Sequence, residues 1–221
     1  GSTHLLQAIR AHAPAARLLL ASSADVYGRA HPEELPLRED RPPAPLNPYS
    51  VSKAAAEMMC RQAHAAHGLD VVIARPFNHV GPGQRPEFAV SGFARSIAEI
   101  LLGLRPPELP VGNLDVTRDF SHVLDICEGY LALLEGGRGG ETYNLCSGRE
   151  TRLRGLLDAM IERSGCGASV VVDPARMRPA DQPRVAGDAS KALRDTGWRA
   201  WRPLEPLLDE MIDFWKKELS K

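Results

Sequence analysis

Cysteine is scarce and scattered: Cys60, Cys127, Cys146 and Cys166 are the four in 221 residues, and no two stand as Cys-x-x-Cys. Neither a zinc site nor a disulfide framework is indicated, and all four are expected to be buried or inert thiols. An excess of either charge is also missing, since 27 Lys and Arg against 28 Asp and Glu leave a net charge of −1. Nothing in that balance argues for a nucleic-acid partner. No apolar run approaches the ~20 residues that span a bilayer, and Gly1-Ser2-Thr3-His4 does not read as a signal peptide. No membrane partner and a cytoplasmic location are therefore expected. Seven histidines are present, and His64 and His67 share a helix face; just before Gly68 they read as a solvated helix end, so no metal is expected.

A further absence concerns glycine. A strand followed by Gly-x-Gly-x-x-Gly and a helix is the usual phosphate cradle of a dinucleotide-binding fold, and this chain contains no such run. Gly136-Gly137 and Gly139-Gly140 follow a helix, and in Gly81-Pro82-Gly83 the proline removes a backbone donor that a cradle needs.

What is present centres on Asn47-Pro48-Tyr49-Ser50-Val51-Ser52-Lys53-Ala54-Ala55-Ala56-Glu57. Asn47 is a good N-cap, Pro48 suits the first helical position, and the alanines favour helix. Tyr49 and Lys53, four residues apart, then lie side by side on one face. An ammonium group beside a phenol stabilises the phenolate and makes the phenol a usable acid. Upstream, Leu18-Leu19-Leu20-Ala21-Ser22-Ser23 reads as a buried strand ending in hydroxyls. Downstream, Val71-Val72-Ile73-Ala74-Arg75-Pro76-Phe77-Asn78 reads as another strand ending in Pro and Asn. Ligands of open α/β sheets bind at the carboxyl ends of strands, which is where these polar residues fall.

The remaining chain divides into predictable elements. A helix is expected over 3–13, a proline-rich loop over 29–46, the Tyr49 helix over 48–67, and an amphipathic helix over 88–103 with Phe93, Ile97, Ile100 and Leu101 facing a core. Strands are expected near 109–111 and 116–120 around the turn Gly112-Asn113, a helix over 122–135, and a strand over 142–146. Thr151 is expected to cap a helix reaching Arg163, followed by a strand at 169–172 and helices over 189–195 and 204–219.

Five stretches, taken together and in order, resemble the extended short-chain dehydrogenases/reductases that act on nucleotide sugars, the NAD-dependent epimerase/dehydratase family. They are Ser22-Ser23-Ala24-Asp25-Val26-Tyr27-Gly28, Asn47 to Lys53, Arg75-Pro76-Phe77-Asn78-His79-Val80-Gly81-Pro82-Gly83-Gln84, Thr117-Arg118-Asp119-Phe120 and Tyr143-Asn144-Leu145-Cys146-Ser147-Gly148. The resemblance implies an α/β fold: a partial Rossmann-type parallel sheet, the carboxyl-terminal two-thirds of such an enzyme, with a small α/β substrate-binding lobe. Residues 1–150 would be the remainder of the catalytic domain, 80–120 contributing partly to the lobe, and 151–221 mainly the lobe.

By the same resemblance, Tyr49 is the general acid/base, Lys53 supports it and contacts the nicotinamide ribose, and Ser23 hydrogen-bonds the sugar oxygen. Hydride passes between the sugar carbon and a nicotinamide, NADP or NAD, with Ser22, Pro76 and Phe77 also beside the cofactor. Asn78, Arg118, Arg178 and Asp181 would hold a nucleotide-diphosphate sugar, guanidinium forks matching phosphate geometry; a strand-end salt bridge to Asp119 is the plainer reading of Arg118. Asp125 and Tyr130 read as capping or packing a helix.

Asp25 stands where sugar 4,6-dehydratases typically carry Glu, and as a shorter possible auxiliary acid it favours a keto reductase or an epimerase. The motif wording is similar to GDP-4-keto-6-deoxy-mannose reductases. GDP-mannose 4,6-dehydratase, a nucleotide-sugar 4-epimerase, and a non-catalytic relative acting in binding or assembly are the alternatives. A homodimer through helices 3–13 and 48–67 is also implied. Without the glycine-rich segment, this chain alone is expected to be inactive and to bind the cofactor weakly.

Overall fold

The computed structural model describes residues 1–177 and 182–221. The expected Arg178 and Asp181 lie outside the described residues. Three parallel strands, β1 (Leu18–Ala21), β2 (Val71–Pro76) and β6 (Thr142–Leu145), form the central sheet in the order β1-β2-β6. Leu18 pairs with Val71 at one end of the first ladder, and Pro76 with Leu145 at the end of the second.

Every residue of β2 is buried, and its side chains alternate between two helical layers, as the two-residue period of a strand requires. Val71 and Ile73 pack with Leu6 of α1 (Ser2–His12) and with Cys60 and Ala63 of α2 (Pro48–His67). Val72 and Ala74 face the other way, onto Ile126 and Leu133 of α4 (Val123–Gly136) and Ala192 of α6 (Ser190–Thr196).

The second layer gathers distant stretches. β3 (Asn78–Val80) runs parallel to β5 (Thr117–His122), which pairs antiparallel with β7 (Glu150–Arg152); β4 (Glu108–Val111) pairs in parallel with β8 (Ser169–Val172). Around these strands α3 (Ala89–Leu101), α5 (Leu153–Ser164) and α7 (Glu205–Leu219) bury Ile97, Leu157, Met160, Leu207 and Met211 in one apolar cluster. Residues from 80–120 and from 153–215 thus share a core, whereas Ala192 and Trp198 return to the central sheet.

Two sequence expectations need correction. Thr151 does not cap a helix: it pairs with Arg118 across the β5–β7 ladder, and α5 begins at Leu153. The strands expected around Gly112-Asn113 are present as β4 and β5, and they take partners remote in sequence, β8 and β3. Cys127 is exposed on α4, while Cys60 and Cys146 are buried, and burial pushes the Cys60 thiol up to about 11.

No helix among the described residues is long and apolar enough to cross a membrane. No cluster of three or more His, Cys, Asp or Glu that could hold a metal occurs among them. His64 Nδ1 lies 2.9 Å from the Leu69 carbonyl, and His67 Nε2 lies 3.0 Å from Arg10.

Candidate active site at the carboxyl end of the sheet

Helix α2 starts where the sequence says it should. Asn47 Oδ1 accepts the Ser50 amide at 2.8 Å and Ser50 Oγ accepts the Asn47 amide at 3.2 Å, closing a reciprocal cap over the first turn. Gly68 ends the helix in the left-handed region, φ 66°, which suits glycine.

Tyr49 is held on the first turn and is 52% exposed, so its hydroxyl is reachable. Lys53 brings its Nζ to 5.7 Å from the Tyr49 ring centroid and donates to the Ala21 carbonyl at 2.7 Å. That bond pins the ammonium group to the end of β1, directly before the two serines.

The serines divide their duties. Ser22 is buried and donates its hydroxyl inward to Glu57 Oε1 at 2.6 Å. Ser23 caps a short 3-10 turn over Ala24–Tyr27, its Oγ accepting the Asp25 amide at 3.1 Å. Accepting that N–H leaves the Ser23 O–H as a donor toward a ligand. The turn is locked by Gly28, φ 65°, where a Cβ would stand 1.8 Å from the Ala44 carbonyl oxygen; the proline-rich loop packs on it through Ala44 N to Val26 O, 2.9 Å.

Burial raises the Asp25 carboxyl above its ordinary range, while the nearby Arg118 guanidinium pulls it down. Arg118 stands on β5. Its Nη1 donates to the carbonyls of Thr117 at 2.8 Å and Gln182 at 2.7 Å. Asp119, expected as an alternative partner, is fully buried and turns its carboxylate to the backbone amides of Ser147, Gly148 and Gly187 and to the Ser147 hydroxyl. Burial still raises this carboxyl despite those four donors.

Asn78 and Arg118 meet in a cavity of about 670 Å³ between α3, β4 and β5, which Arg95, Arg105 and Arg176 also line. Several of these guanidinium groups are tied to acids: Arg95 and Arg105 share Glu99, at 2.9 and 3.0 Å, and Arg176 pairs with Asp173. Pro76 and Phe77 are buried at the end of β2, and Phe77 packs against Tyr27 with ring centroids 6.3 Å apart. Gly187 lies so close that a Cβ there would come within 2.5 Å of Phe77.

Sequence reasoning missed the polar core behind these groups. Arg75 Nε and Nη2 donate to Glu57 at 2.9 and 2.6 Å, Arg75 stacks 4.6 Å from the centroid of Tyr27, and Tyr27 donates to Asn144 Oδ1 at 2.6 Å. Burial pushes the Tyr27 phenol up to about 12, so it stays a donor. Two signals were available: Glu57 continues the 49, 53 spacing on one helix face, and an arginine inside the apolar run of β2 requires a buried partner. Tyr130 packs beside the α4 core as expected; Asp125, fully buried in the first turn of α4, does not cap that helix, whose N-cap is His122, and instead accepts from Arg202 Nη1 at 2.5 Å and from the Trp201 and Arg202 amides.

Comparison with known proteins decides the family. A family model described as GDP-mannose 4,6 dehydratase matches residues 1–211. The chain belongs to that family. It is 41% identical over 221 residues to the GDP-6-deoxy-D-mannose reductase of Pseudomonas aeruginosa, covering all of this chain and 73% of the relative. Identity to a UDP-glucose 4-epimerase of Azospirillum brasilense is 36% over 199 residues, covering 82% of this chain and 55% of that enzyme. A solved structure of RMD from Pseudomonas aeruginosa, complexed with NADPH, superposes with a TM-score of 0.93 at 39% identity, over 98% of this chain and 72% of the other. The chain thus spans between about half and three-quarters of the length of these relatives.

The residues present fit one end of a nicotinamide cofactor. A reachable phenol, an ammonium group anchored at a strand end and a free serine O–H suit a ribose and a reacting carbonyl. Among the described residues no strand runs through Gly-x-Gly-x-x-Gly into a helix; β3 leads through Gly81-Pro82-Gly83 toward α3, and Pro82 lacks the backbone donor that a pyrophosphate cradle of that kind uses.

Proposed function

We propose that the protein reduces the 4-keto group of a nucleotide-linked sugar with NADPH or NADH, converting GDP-4-keto-6-deoxy-D-mannose to GDP-D-rhamnose in the cytoplasm. The observation that carries this reading is the anchoring of Lys53 to the Ala21 carbonyl, which brings the Tyr49–Lys53 pair against the Ser22-Ser23 strand end. The nicotinamide, when bound, supplies the hydride to C4. Tyr49 gives its hydroxyl proton to the C4 oxygen, so one hydride and one proton convert the ketone to an alcohol. Lys53 stabilises the phenolate left behind, and Ser23 donates a hydrogen bond to the same oxygen. Asn78 and Arg118 hold the diphosphate in the cavity, and the lobe gathered from 80–120 and 151–221 closes over the nucleotide.

A dehydratase reading is favoured by one observation, the raised carboxyl of Asp25 next to Ser23. Its short side chain, and the Arg118 charge that favours its ionised form, weigh against a role in losing water at C6. We further infer a homodimer through α1 and α2, which leave Leu5, Val51, Met58 and Met59 exposed on their outer faces; light scattering that gives a monomer at micromolar concentration would contradict it.

Incubating the full-length protein separately with GDP-mannose and with GDP-4-keto-6-deoxy-mannose, each with reduced and oxidised cofactor, tests the function. Consumption of the keto sugar alone supports a reductase. A keto sugar formed from GDP-mannose overturns it in favour of dehydration.

A further inference from the structure

We propose that Glu57 is the positioning residue of the acid–base site: one buried carboxylate that sets the mutual register of the three segments carrying Ser23, Tyr49 with Lys53, and Phe77 with Asn78. The inference rests on the reading of Ser23, Tyr49 and Lys53 given above. Glu57 lies one turn beyond Lys53 and two beyond Tyr49 on α2, and is 2% exposed. Its Oε1 accepts from Ser22 Oγ at 2.6 Å and from Arg75 Nε at 2.9 Å, and its Oε2 accepts from Arg75 Nη2 at 2.6 Å.

Each partner is one step from a reacting or ligand-facing group. Ser22 precedes Ser23, and Arg75 precedes Pro76, Phe77 and Asn78. Two parallel tethers, Lys53 to the Ala21 carbonyl and Glu57 to the Ser22 hydroxyl, therefore fix how far along α2 the β1 end can slide. Arg75 extends the fixation across the sheet, through its stack on Tyr27 to Asn144 on β6.

Stability alone accounts poorly for this arrangement. A buried ion pair is frequently no more stabilising than packed apolar groups of the same volume. Here Arg75 Nη1 is also buried with no hydrogen-bond partner among the described residues. What the pair provides that an apolar pair cannot is directional registry, and misplacing a catalytic group by about 1 Å can cost on the order of 10²-fold in rate. The hydroxyl of Ser22 is thereby assigned to Glu57 and not to the cofactor.

The test uses S22A, S22T and E57Q in the full-length enzyme, with kcat referred to the titrated active-site concentration. S22A leaves the ion pair intact and removes one tether; kcat is expected to fall about ten-fold or more, with the KM for sugar and cofactor each within about three-fold. S22T keeps the hydroxyl and should recover most of the loss. E57Q should repeat the S22A pattern with a larger loss of thermal stability. Hydrogen exchange on the free proteins, which needs no substrate, should rise over 22–27 and 48–53 while α7 keeps its protection. A raised cofactor KM at unchanged kcat in S22A would assign Ser22 to the cofactor and overturn the proposal. Unchanged exchange over 22–27 would overturn it equally, whatever the substrate proves to be. A wild-type enzyme that turns over no nucleotide sugar rejects the proposed function instead, and the exchange result still decides the positioning role.

Discussion

The two ends of the site are built differently. At the acid–base end, Lys53, Ser22, Glu57 and Arg75 are fixed by hydrogen bonds of 2.6 to 2.9 Å to partners on three separate elements, most of them buried. At the end proposed for the nucleotide, the cavity is lined by guanidinium groups, and Arg95, Arg105 and Arg176 among them are tied to acids that are shared or partly solvated. Glu99 serves both Arg95 and Arg105, and Arg176 and Asp173 are both substantially exposed. The proposed proton transfer needs a geometry that does not wander, which groups locked before a ligand arrives would supply. A diphosphate needs cations that can turn toward it, and exposed ion pairs, each worth little, can be exchanged for phosphate contacts at small cost.

Breaking the locked end should give the largest effect. Glu57→Ala leaves Arg75 charged and buried without its partner, and is expected to cost about 3–5 kcal/mol of stability. Urea unfolding of the variant against wild type checks this, and a loss under ~1 kcal/mol would show that the pair is not locked. Next comes the acid itself. Tyr49→Phe keeps the ring beside Lys53 but removes the proton, so turnover should fall by about 10²-fold or more while nucleotide-sugar affinity stays within a few-fold. Steady-state kinetics with calorimetry reads both, and near-wild-type turnover would remove Tyr49 from its role.

At the adaptable end the expected change is smaller and of another kind. Arg118→Ala should raise the KM for the nucleotide sugar about ten-fold with kcat within about three-fold, the signature of lost uniform binding. A fall in kcat at constant KM would move Arg118 to the chemical end, beside Asp25. The smallest effect concerns the edge of the second layer. Hydrogen bonds from Arg184 and Thr117 hold the Glu150 carboxyl down at about 2. Since the folded-state value lies below the unfolded one, this stabilisation is complete above the ordinary glutamate range and is lost as pH falls from there through about 2. With both groups partly exposed, Glu150→Gln should cost no more than about 1 kcal/mol at neutral pH and nothing at the acid end. Thermal melts of the two proteins across that range give the comparison.

Much of the locked end was legible in the sequence because local rules govern it. Asn47 and Pro48 announce the start of α2, Gly68 its end, and the apolar run from Val71 announces a buried strand. The adaptable end was less legible because its contacts are remote. Thr151 looks like a helix cap until β5 is beside it, and the pairing of β4 with β8 joins residues some sixty positions apart. The Glu57–Arg75 pair falls between these cases. Both residues stood in motifs already noted, yet their meeting depends on α2 crossing the face of β2 that carries Val71, Ile73 and Arg75, a tertiary fact that no local spacing states.

The most direct measurement of the central claim follows the hydride. Full-length enzyme is given GDP-4-keto-6-deoxy-mannose with reduced cofactor deuterated at nicotinamide C4, on the transferred face, and the sugar product is examined by proton and deuterium NMR. The account predicts deuterium bound at C4 of a GDP-6-deoxy-hexose, formed in step with cofactor oxidation and lost in Tyr49→Phe. Product without deuterium at C4, or no cofactor oxidation at all in the wild-type enzyme, would contradict it.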